Sequence, residues 1–392
     1  MISASSAPTS EVIDGLLSSE GWAYASMLPV DENDPGRFHA LFGRDSLIFA
    51  LQLLPDRPEI AAATLRALST LQGTSDDPEI DEQPGKIVHE YHPVAPDRLL
   101  DAGWAVRDGG IRYYGTADAT SWFLVVLAAT GNAELQEQLS AHWRAAGSWM
   151  EAALDAGGGL VRFGPRRHRG GLSQQGWRDS VNPGRDGIGS GIVTEDVSAP
   201  PAPVADADCQ AVAHAALRAL ISLDPDRAPH WQQRLAALRS HIAERFTPET
   251  MAIDGEDKIV PGAGSQLGWL LWSGALDKDA ARAFADRLTQ ADILTPYGLR
   301  TLSVHHPGFL AASYHRGSIW PFDNWIGWLG LRAYGYEDAA ERVRTGVLKA
   351  LGQLGLYPEL YAVTAQGELA SIPIANRIQA WTVGAAWAFT NS

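Results

Sequence analysis

The chain has 392 residues, of which 45% are apolar and 20% charged, and its formal net charge is −15. This length and composition are typical of a globular protein with a large buried core. The negative charge argues against a nucleic-acid-binding protein, because phosphates would be repelled and no stripe of Lys and Arg offsets the repulsion.

The first forty residues form a lead-in, for which we predict one helix at 10–27. They lack the basic-then-apolar layout of a signal peptide, and no apolar run approaches the ~18 residues that span a membrane. Cys209 is the single cysteine, so no internal disulfide can form and a reducing compartment is favoured. We therefore expect a cytoplasmic protein without a membrane partner.

Helical periodicity recurs along the chain. PEIAAATLRALSTLQG (58–73) places Leu65 and Leu68 near one face and ends in glycine, as a capped amphipathic helix does. ADATSWFLVVLAATG (117–131) is apolar on several sides, which predicts a buried helix. Similar patterns predict helices at 45–54, 132–159, 206–223, 228–246, 263–275, 277–290, 317–334, 336–354 and 376–390.

These roughly a dozen helices occur in pairs joined by short turns, and they predict an all-α array of helical hairpins. Six pairs closed into a ring would form an (α/α)6 toroid, although periodicity alone does not separate a closed ring from an open solenoid. Strand-like alternation is scarce, and we expect IRYYG (111–115) and GLVRFG (159–164) to form a short hairpin. We find no internal boundary and expect a single domain over 1–392.

Two long segments interrupt the helices, at 74–116 and at 160–205. Both are rich in Gly, Pro, Asp and aromatic residues. Loops of this length inside a compact helical domain usually belong to a binding site, so we expect them to form active-site loops. A flexible linker is an equal alternative for 187–205.

Five short stretches put hydrogen-bonding side chains beside Trp, Tyr or His. They are FGRDS (42–46), KIVHEYHP (86–93), QGWRDS (175–180), SYHRGSIWPFDN (313–324) and YPELY (357–361). Sugars are recognised by this mixture, since aromatic faces pack on their C–H surfaces and polar groups bind their hydroxyls. We therefore predict a carbohydrate site.

The fourteen tryptophans divide into two groups. Trp149, Trp269 and Trp272 lie on helix-like stretches, and we expect them in the core. Trp177 and Trp320 lie beside turns and polar residues, and we expect them to contact the ligand.

Glycoside hydrolysis usually requires two carboxyl groups with different roles. The acid must keep its proton near neutrality, which an apolar neighbour promotes, so Asp179 beside Trp177 is a candidate. The base must be ionised, and Glu359 between Tyr357 and Tyr361 could hold a water. The alternatives are that Asp179 caps a helix or turn and that Glu359 is a surface charge paired with an arginine.

Taken in order, FGRDS, PGKIVHE, YYGTADAT, QGWRDS, YHRGSIWPFDN and YPELY resemble the catalytic domain of the amylo-α-1,6-glucosidase and bacterial glycogen-debranching family, over roughly 40–390. The chain is also similar to the wider six-hairpin glycosidases, which include glucosylglycerate hydrolases, trehalases and glucoamylases. The resemblance implies an (α/α)6 toroid and an inverting, exo-acting α-glucosidase without a cofactor.

The same resemblance implies a role for each matching residue. Asp179 becomes the general acid and Glu359 the base that activates water, while Arg44 and Asp45 hold hydroxyls of the terminal glucose. The remaining lining of the pocket is then His89, Glu90, Asp118, Tyr314, His315 and Trp320.

One departure affects the substrate. Debranching proteins of this type usually carry a β-rich domain before the catalytic part, and only about forty residues precede FGRDS. This favours a short oligosaccharide or a small α-glucoside over glycogen. A glucosylglycerate-type substrate would add a carboxylate, for which Arg166, Arg167 and His168 are possible partners, although a solvated basic loop is the preferred interpretation of that cluster.

Two other classes of protein stay open. Sugar 2-epimerases use a similar toroid with histidine acids and bases, which His89, His305, His306 and His315 could supply. A carbohydrate-binding protein without catalysis is the second. The HEYH spacing suits no common metal-ligand set, so we expect no metal site, and the sequence leaves the oligomeric state open.

Overall fold

The computed structural model describes residues 7–29, 34, 36–164, 170–179 and 191–391. Its α-helices, in chain order, are α1 Ser10–Asp14, α2 Gly43–Leu53, α3 Pro58–Thr70, α4 Asp97–Asp101, α5 Ala119–Ala129, α6 Ala133–Gln138, α7 Ser140–Ala156, α8 Ala207–Leu223, α9 Ala228–Arg245, α10 Gln266–Ser273, α11 Lys278–Leu288, α12 Pro321–Ala333, α13 Glu337–Leu354 and α14 Ala380–Thr390. A 3₁₀ turn spans Pro225–Arg227.

Six of these helices close into an inner ring. The order α2, α5, α8, α10, α12, α14 follows the chain, each helix packs on the next, and α14 packs back on α2. The helices α3, α7, α9, α11 and α13 pack outside this ring against one or two of its members, and short α1 contacts α14. The fold is therefore an all-α (α/α)6 toroid, as predicted.

The two rings differ in composition because they meet different surroundings. The inner helix α5 (ATSWFLVVLAA) is buried on nearly every side, whereas the outer helix α11 buries one face through Ala281, Phe284, Ala285 and Leu288. An apolar helix is stable only when surrounded by protein, and an amphipathic helix is stable with one face in water.

In the part of the chain that the structure describes, the strands form four small antiparallel sheets on the loops. Their members are β1 Leu41–Phe42, β2 Glu90–His92 and β3 Ile111–Tyr113; β4 Ala205–Asp206, β5 Thr250–Ile253 and β6 Ile259–Pro261; β7 Leu294–Thr295 and β8 Gly298–Leu299; β9 Tyr361–Val363 and β10 Leu369–Ser371. None of the described helices is long and apolar enough to cross a membrane.

Three local predictions were wrong. The expected hairpin does not form, because β3 pairs with β2 and Phe163 bridges Val204 instead. Only Ser10–Asp14 of the predicted helix 10–27 is helical, since Gly15 and Gly21 interrupt the pattern. The predicted helix 132–159 is divided at Leu139 into α6 and α7.

The first turns of the inner helices meet at one end of the ring. Arg44 in α2 reaches Asp118 before α5, and Gln379 before α14 reaches Asp45 in α2. Trp269 in α10 donates to Asp323 in the first turn of α12. Arg178, in the loop whose Asp179 contacts Arg44, joins Asp208 at the start of α8 to Ser265 directly before α10. These contacts indicate that the inner helices run in the same direction, with their positive N-terminal ends toward a space where negative groups are stabilised.

Candidate active site

Arg44 joins three parts of this end of the ring. It is 1% exposed, and its Nε lies 3.0 Å from Asp118 Oδ2. Nη1 lies 3.3 Å from Asp179 Oδ2, and Nη2 donates to the carbonyl of Gly176 at 3.1 Å. The buried guanidinium therefore links α2 and the start of α5 to the loop that carries Asp179. The predicted contact of Arg44 with a sugar hydroxyl stays a prediction.

Asp179 lies at the end of an irregular loop and keeps 23% of its side chain exposed. Burial raises the pKa of its carboxyl to about 8; the Arg44 charge opposes the rise, and the neighbouring Asp45 and Asp118 add to it. A carboxyl group with this pKa is mostly protonated at neutral pH, so Asp179 can donate a proton.

Glu359 is 2% exposed and lies just before β9. The Tyr314 hydroxyl donates to Oε1, and the Asn376 backbone N–H donates to Oε2 at 3.2 Å. Burial raises the pKa of Glu359 to about 7, while the hydrogen bonds from Tyr314 and Asn376 oppose the rise because they favour the carboxylate. The backbone pairing of Ile319 with Tyr361 brings the segment that carries Tyr314 next to the segment that carries Glu359.

Two buried amides connect Glu359 with Asp45. The Asn376 side chain donates to Gln379 Oε1 at 3.0 Å, and Gln379 Nε2 donates to Asp45 Oδ2 at 3.3 Å. Burial, together with the charge of Glu359, raises the pKa of Asp45 to about 7 against the effect of Arg44. Asn376 and Gln379 were not among the residues predicted from the sequence; the available signal was two amide side chains shortly before the apolar helix α14.

His89 and Glu90 reach the site through the small sheet. Glu90 pairs with Phe42 immediately before α2, and His89 Nε2 lies 3.9 Å from Asp179 Oδ2. Burial and the nearby charge of Arg44 lower the pKa of His89 well below its usual range, so the imidazole is neutral. Glu90 Oε2 lies 2.7 Å from His92 Nε2.

Aromatic rings pack around Trp177, two residues before Asp179. Trp177 and Trp320 are 1% and 2% exposed, and Trp177 stacks parallel to Trp269 with ring centroids 5.9 Å apart. The ring of His315 stacks on Trp320 at 5.2 Å. Direct contact of Trp177 and Trp320 with a ligand stays a prediction, since their buried rings also act as the support of the site.

The core assignments for other tryptophans are confirmed. Trp149 and Trp269 are buried, and Trp272 is partly buried and packs against the same cluster.

Three further predictions concern the basic cluster, the histidines of an epimerase and a metal site. Arg166, Arg167 and His168 lie outside the described residues. Of the histidines considered for an epimerase, His89 and His315 are buried, while His305 is exposed. Among the described residues, no group of three or more His, Cys, Asp or Glu side chains could hold a metal ion.

A closed ring of six helix pairs, with buried carboxyl groups at one end, is the architecture of the six-hairpin glycoside hydrolases, and sugar 2-epimerases share the ring. Within these hydrolases, the chain belongs to the mannosylglycerate hydrolase MGH1-like glycoside hydrolase domain family, whose model matches residues 45–382.

Individual relatives agree with this family. The chain is 30% identical to mannosylglycerate hydrolase from Rubrobacter radiotolerans over 133 residues, which cover 28% of this chain and 30% of that protein. It is similar to the GH63 mannosylglycerate hydrolase from Thermus thermophilus in complex with Tris, with TM-score 0.71, 16% identity and coverage of 97% and 99%. The complex of the Thermus enzyme with Tris and D-glycerate gives TM-score 0.70, 17% identity and coverage of 97% and 98%. At this identity the solved structures show the fold alone.

The family corrects one part of the sequence analysis. Membership in the six-hairpin glycosidases is confirmed. The narrower assignment to the amylo-α-1,6-glucosidase and debranching family was wrong, because the matching family is the mannosylglycerate hydrolase-like one.

Proposed function

We propose that this protein is an inverting, exo-acting glycoside hydrolase that removes a terminal α-linked hexose from a small glycoside. The observation that carries the proposal is a pair of carboxyl groups near one end of the toroid, the half-buried Asp179 and the buried Glu359, whose pKa values are both raised by burial but whose hydrogen-bond partners differ. Asp179 has a pKa of about 8 beside Arg44, and Glu359 has a pKa of about 7 under two donated hydrogen bonds.

Asp179 is the proton donor. Its side chain is the more exposed of the two, as suits a group that must meet the leaving oxygen. Its proton passes to the glycosidic oxygen as the bond from that oxygen to the anomeric carbon breaks. Arg44 then stabilises the carboxylate that remains.

Glu359 is the base. Tyr314 and Asn376 fix both of its oxygens, and each oxygen keeps a further lone pair that can accept a proton from water. The water attacks the anomeric carbon from the face opposite the leaving group, so an α-glycoside gives a β-hemiacetal first.

The hydroxyls of the terminal sugar are bound by the polar side chains of Asp45, His89, Glu90, Asp118 and His315. Asp45 is the best placed of these, because Gln379 connects it to the Asn376 that orients Glu359. Binding of the sugar and orientation of the base therefore share one hydrogen-bonded chain.

We further propose that the aglycone is an anionic hydroxy acid of the glycerate type. The family name and the names of the relatives support this aglycone. Within the described residues, Arg37 supports it too: its Nε is buried without an acceptor, and its charge acts on both Glu359 and Tyr314. The hexose is glucosyl, as the sequence predicts, or mannosyl, as in the relatives.

The test is incubation of purified protein with α-glucosylglycerate, α-mannosylglycerate, maltose and glycogen, with quantification of the released hexose. We expect a glycosylglycerate to be hydrolysed fastest and glycogen slowest. Release from glycogen at the higher rate would overturn the aglycone proposal, and no release from any substrate would overturn the function.

A further inference from the structure

Arg178 lies between the aromatic residue Trp177 and the candidate acid Asp179, and its side chain points the other way from the acid. The Arg178 side chain is 1% exposed, whereas 23% of the Asp179 side chain is exposed. The mechanism proposed above gives Arg178 no part, although a buried guanidinium is costly unless it is fully paired.

Three separate elements hold the guanidinium of Arg178. Nε donates to Asp208 Oδ2 in α8 at 2.9 Å, and Nη2 donates to Ser265 Oγ before α10 at 2.9 Å. Nη1 donates to the carbonyl of Thr301 at 3.1 Å. Its central carbon also lies 4.4 Å from the centre of the Trp177 ring.

The loop before Arg178 packs closely against the N-terminal end of α8. A Cβ at Gly176 would lie 2.2 Å from Asp206 Oδ2 and 3.3 Å from Cys209 Sγ, so no larger residue fits there without movement. The Gly176 carbonyl in turn accepts from Arg44. Two arginines thus hold residues 176–179 in place. Arg178 binds Asp208 and Ser265, and Arg44 in α2 binds the Gly176 carbonyl.

We propose that Arg178 is a positioning residue, which sets the place of the proton-donating carboxyl of Asp179 without touching the substrate. This inference rests on the proposed function. Lysine keeps the charge but offers a single ammonium, which cannot reach three partners in three directions. In Arg178→Lys the loop therefore loses part of its anchor and the acid moves.

A displaced acid has a recognisable kinetic effect. Protonation matters for a poor leaving group such as the alkoxide of glycerate, and it matters little for fluoride, which leaves without a proton. A displacement of about 1 Å can reduce a rate ~10²-fold. We expect Arg178→Lys to lower kcat about 10²-fold on the glycosylglycerate, with little change in KM, and to keep most of its kcat on the α-hexosyl fluoride.

The pH profile gives a second readout. The groups that face Asp179 are Arg44, Asp45, His89, Glu90, Asp118, Tyr314 and Glu359. A carboxyl that moves toward water loses part of the burial that raises its pKa, so the alkaline limb of kcat/KM should move to lower pH in the variant.

Arg218→Lys is the matched control. Arg218 lies on α8 ten residues after Asp208, or about 15 Å along the helix, and donates to the carbonyl of Ser273. This variant should leave the ratio of the two rates and the alkaline limb unchanged. If Arg178→Lys does not fold, Ser265→Ala serves instead, because it removes one hydrogen-bond partner of Arg178. It should also lower kcat on the glycosylglycerate more than on the fluoride, by a smaller factor.

The outcomes separate the two proposals. Equal losses on both substrates, or a selective loss in neither Arg178→Lys nor Ser265→Ala, would overturn the positioning role while the function stands. A wild-type protein that hydrolyses neither substrate would overturn the proposed function and the positioning role with it.

Discussion

Asp179 and Glu359 both carry a carboxyl group, and in an unfolded chain the two would ionise at similar pH. Their surroundings in the fold give them different roles. Burial raises the pKa of both groups; at Asp179 the Arg44 charge opposes the rise and neighbouring carboxyl groups add to it, whereas at Glu359 hydrogen bonds from Tyr314 and Asn376 oppose it. Differences of this kind between two carboxyl groups are how one site supplies both an acid and a base near neutral pH.

The pH dependence of kcat/KM follows from these two groups. Glu359 must be deprotonated, so activity should rise as the pH increases through its pKa of about 7. Asp179 must be protonated, so activity should fall as the pH increases through its pKa of about 8. We expect a bell-shaped profile with its maximum between these values; a maximum near pH 5 would contradict the assignment of Asp179.

Tyr314→Phe should move one limb of that profile. The Tyr314 hydroxyl donates to Glu359 and lowers its pKa, so its removal raises that pKa and shifts the acid limb to higher pH. Tyr334→Phe is the control, because its hydroxyl donates to the carbonyl of Leu276 away from the site. An unchanged acid limb in Tyr314→Phe would show that Glu359 does not control it.

At the scale of the element, the sequence predicts helices well and loop contacts poorly. The apolar pattern of α5 and the one-sided pattern of α11 are local and can be read from spacing. Which strand pairs with Ile111–Tyr113 is a contact between distant segments, and no local pattern specifies β2 over GLVRFG. Asp179 and Glu359 could be proposed as catalytic residues because each lies beside aromatic residues in the sequence. A role for Arg178 could not be predicted, because its three hydrogen-bond partners are distant in the sequence.

Close packing of two inner helices depends on glycine. A Cβ at Gly268 in α10 would lie 2.6 Å from the Cα of Gly327 in α12, so the helix backbones must separate in Gly268→Ala. Such overpacking typically costs ~1–3 kcal/mol, and we expect a corresponding loss of unfolding free energy in urea. Gly164→Ala is the control, because a Cβ there meets no atom of the described residues within 4 Å. Equal stability of the two variants would contradict the packing argument.

At the scale of the whole molecule, the ring brings together residues that are far apart in sequence. Gln379 and Asp45 are separated by 334 positions and share a hydrogen bond, because α14 closes the ring against α2. The inner helices present their N-terminal ends to this space, and these ends favour negative groups such as the Glu359 carboxylate. Closure of the ring is therefore what completes the site, and it could not be deduced from periodicity alone.

The stereochemistry of the product, followed by NMR from the first turnover of the preferred α-glycoside, tests the central claim most directly. An inverting pair leaves room for water, with carboxyl groups about 6.5–9.5 Å apart, and releases the β-anomer first. Asp179→Asn and Glu359→Gln should each still bind the sugar but lose ~10²–10⁴-fold in turnover, since each removes one proton transfer. Initial release of the β-anomer, with both variants impaired, is the result we predict; initial release of the α-anomer, or near-normal turnover by Asp179→Asn, would contradict it.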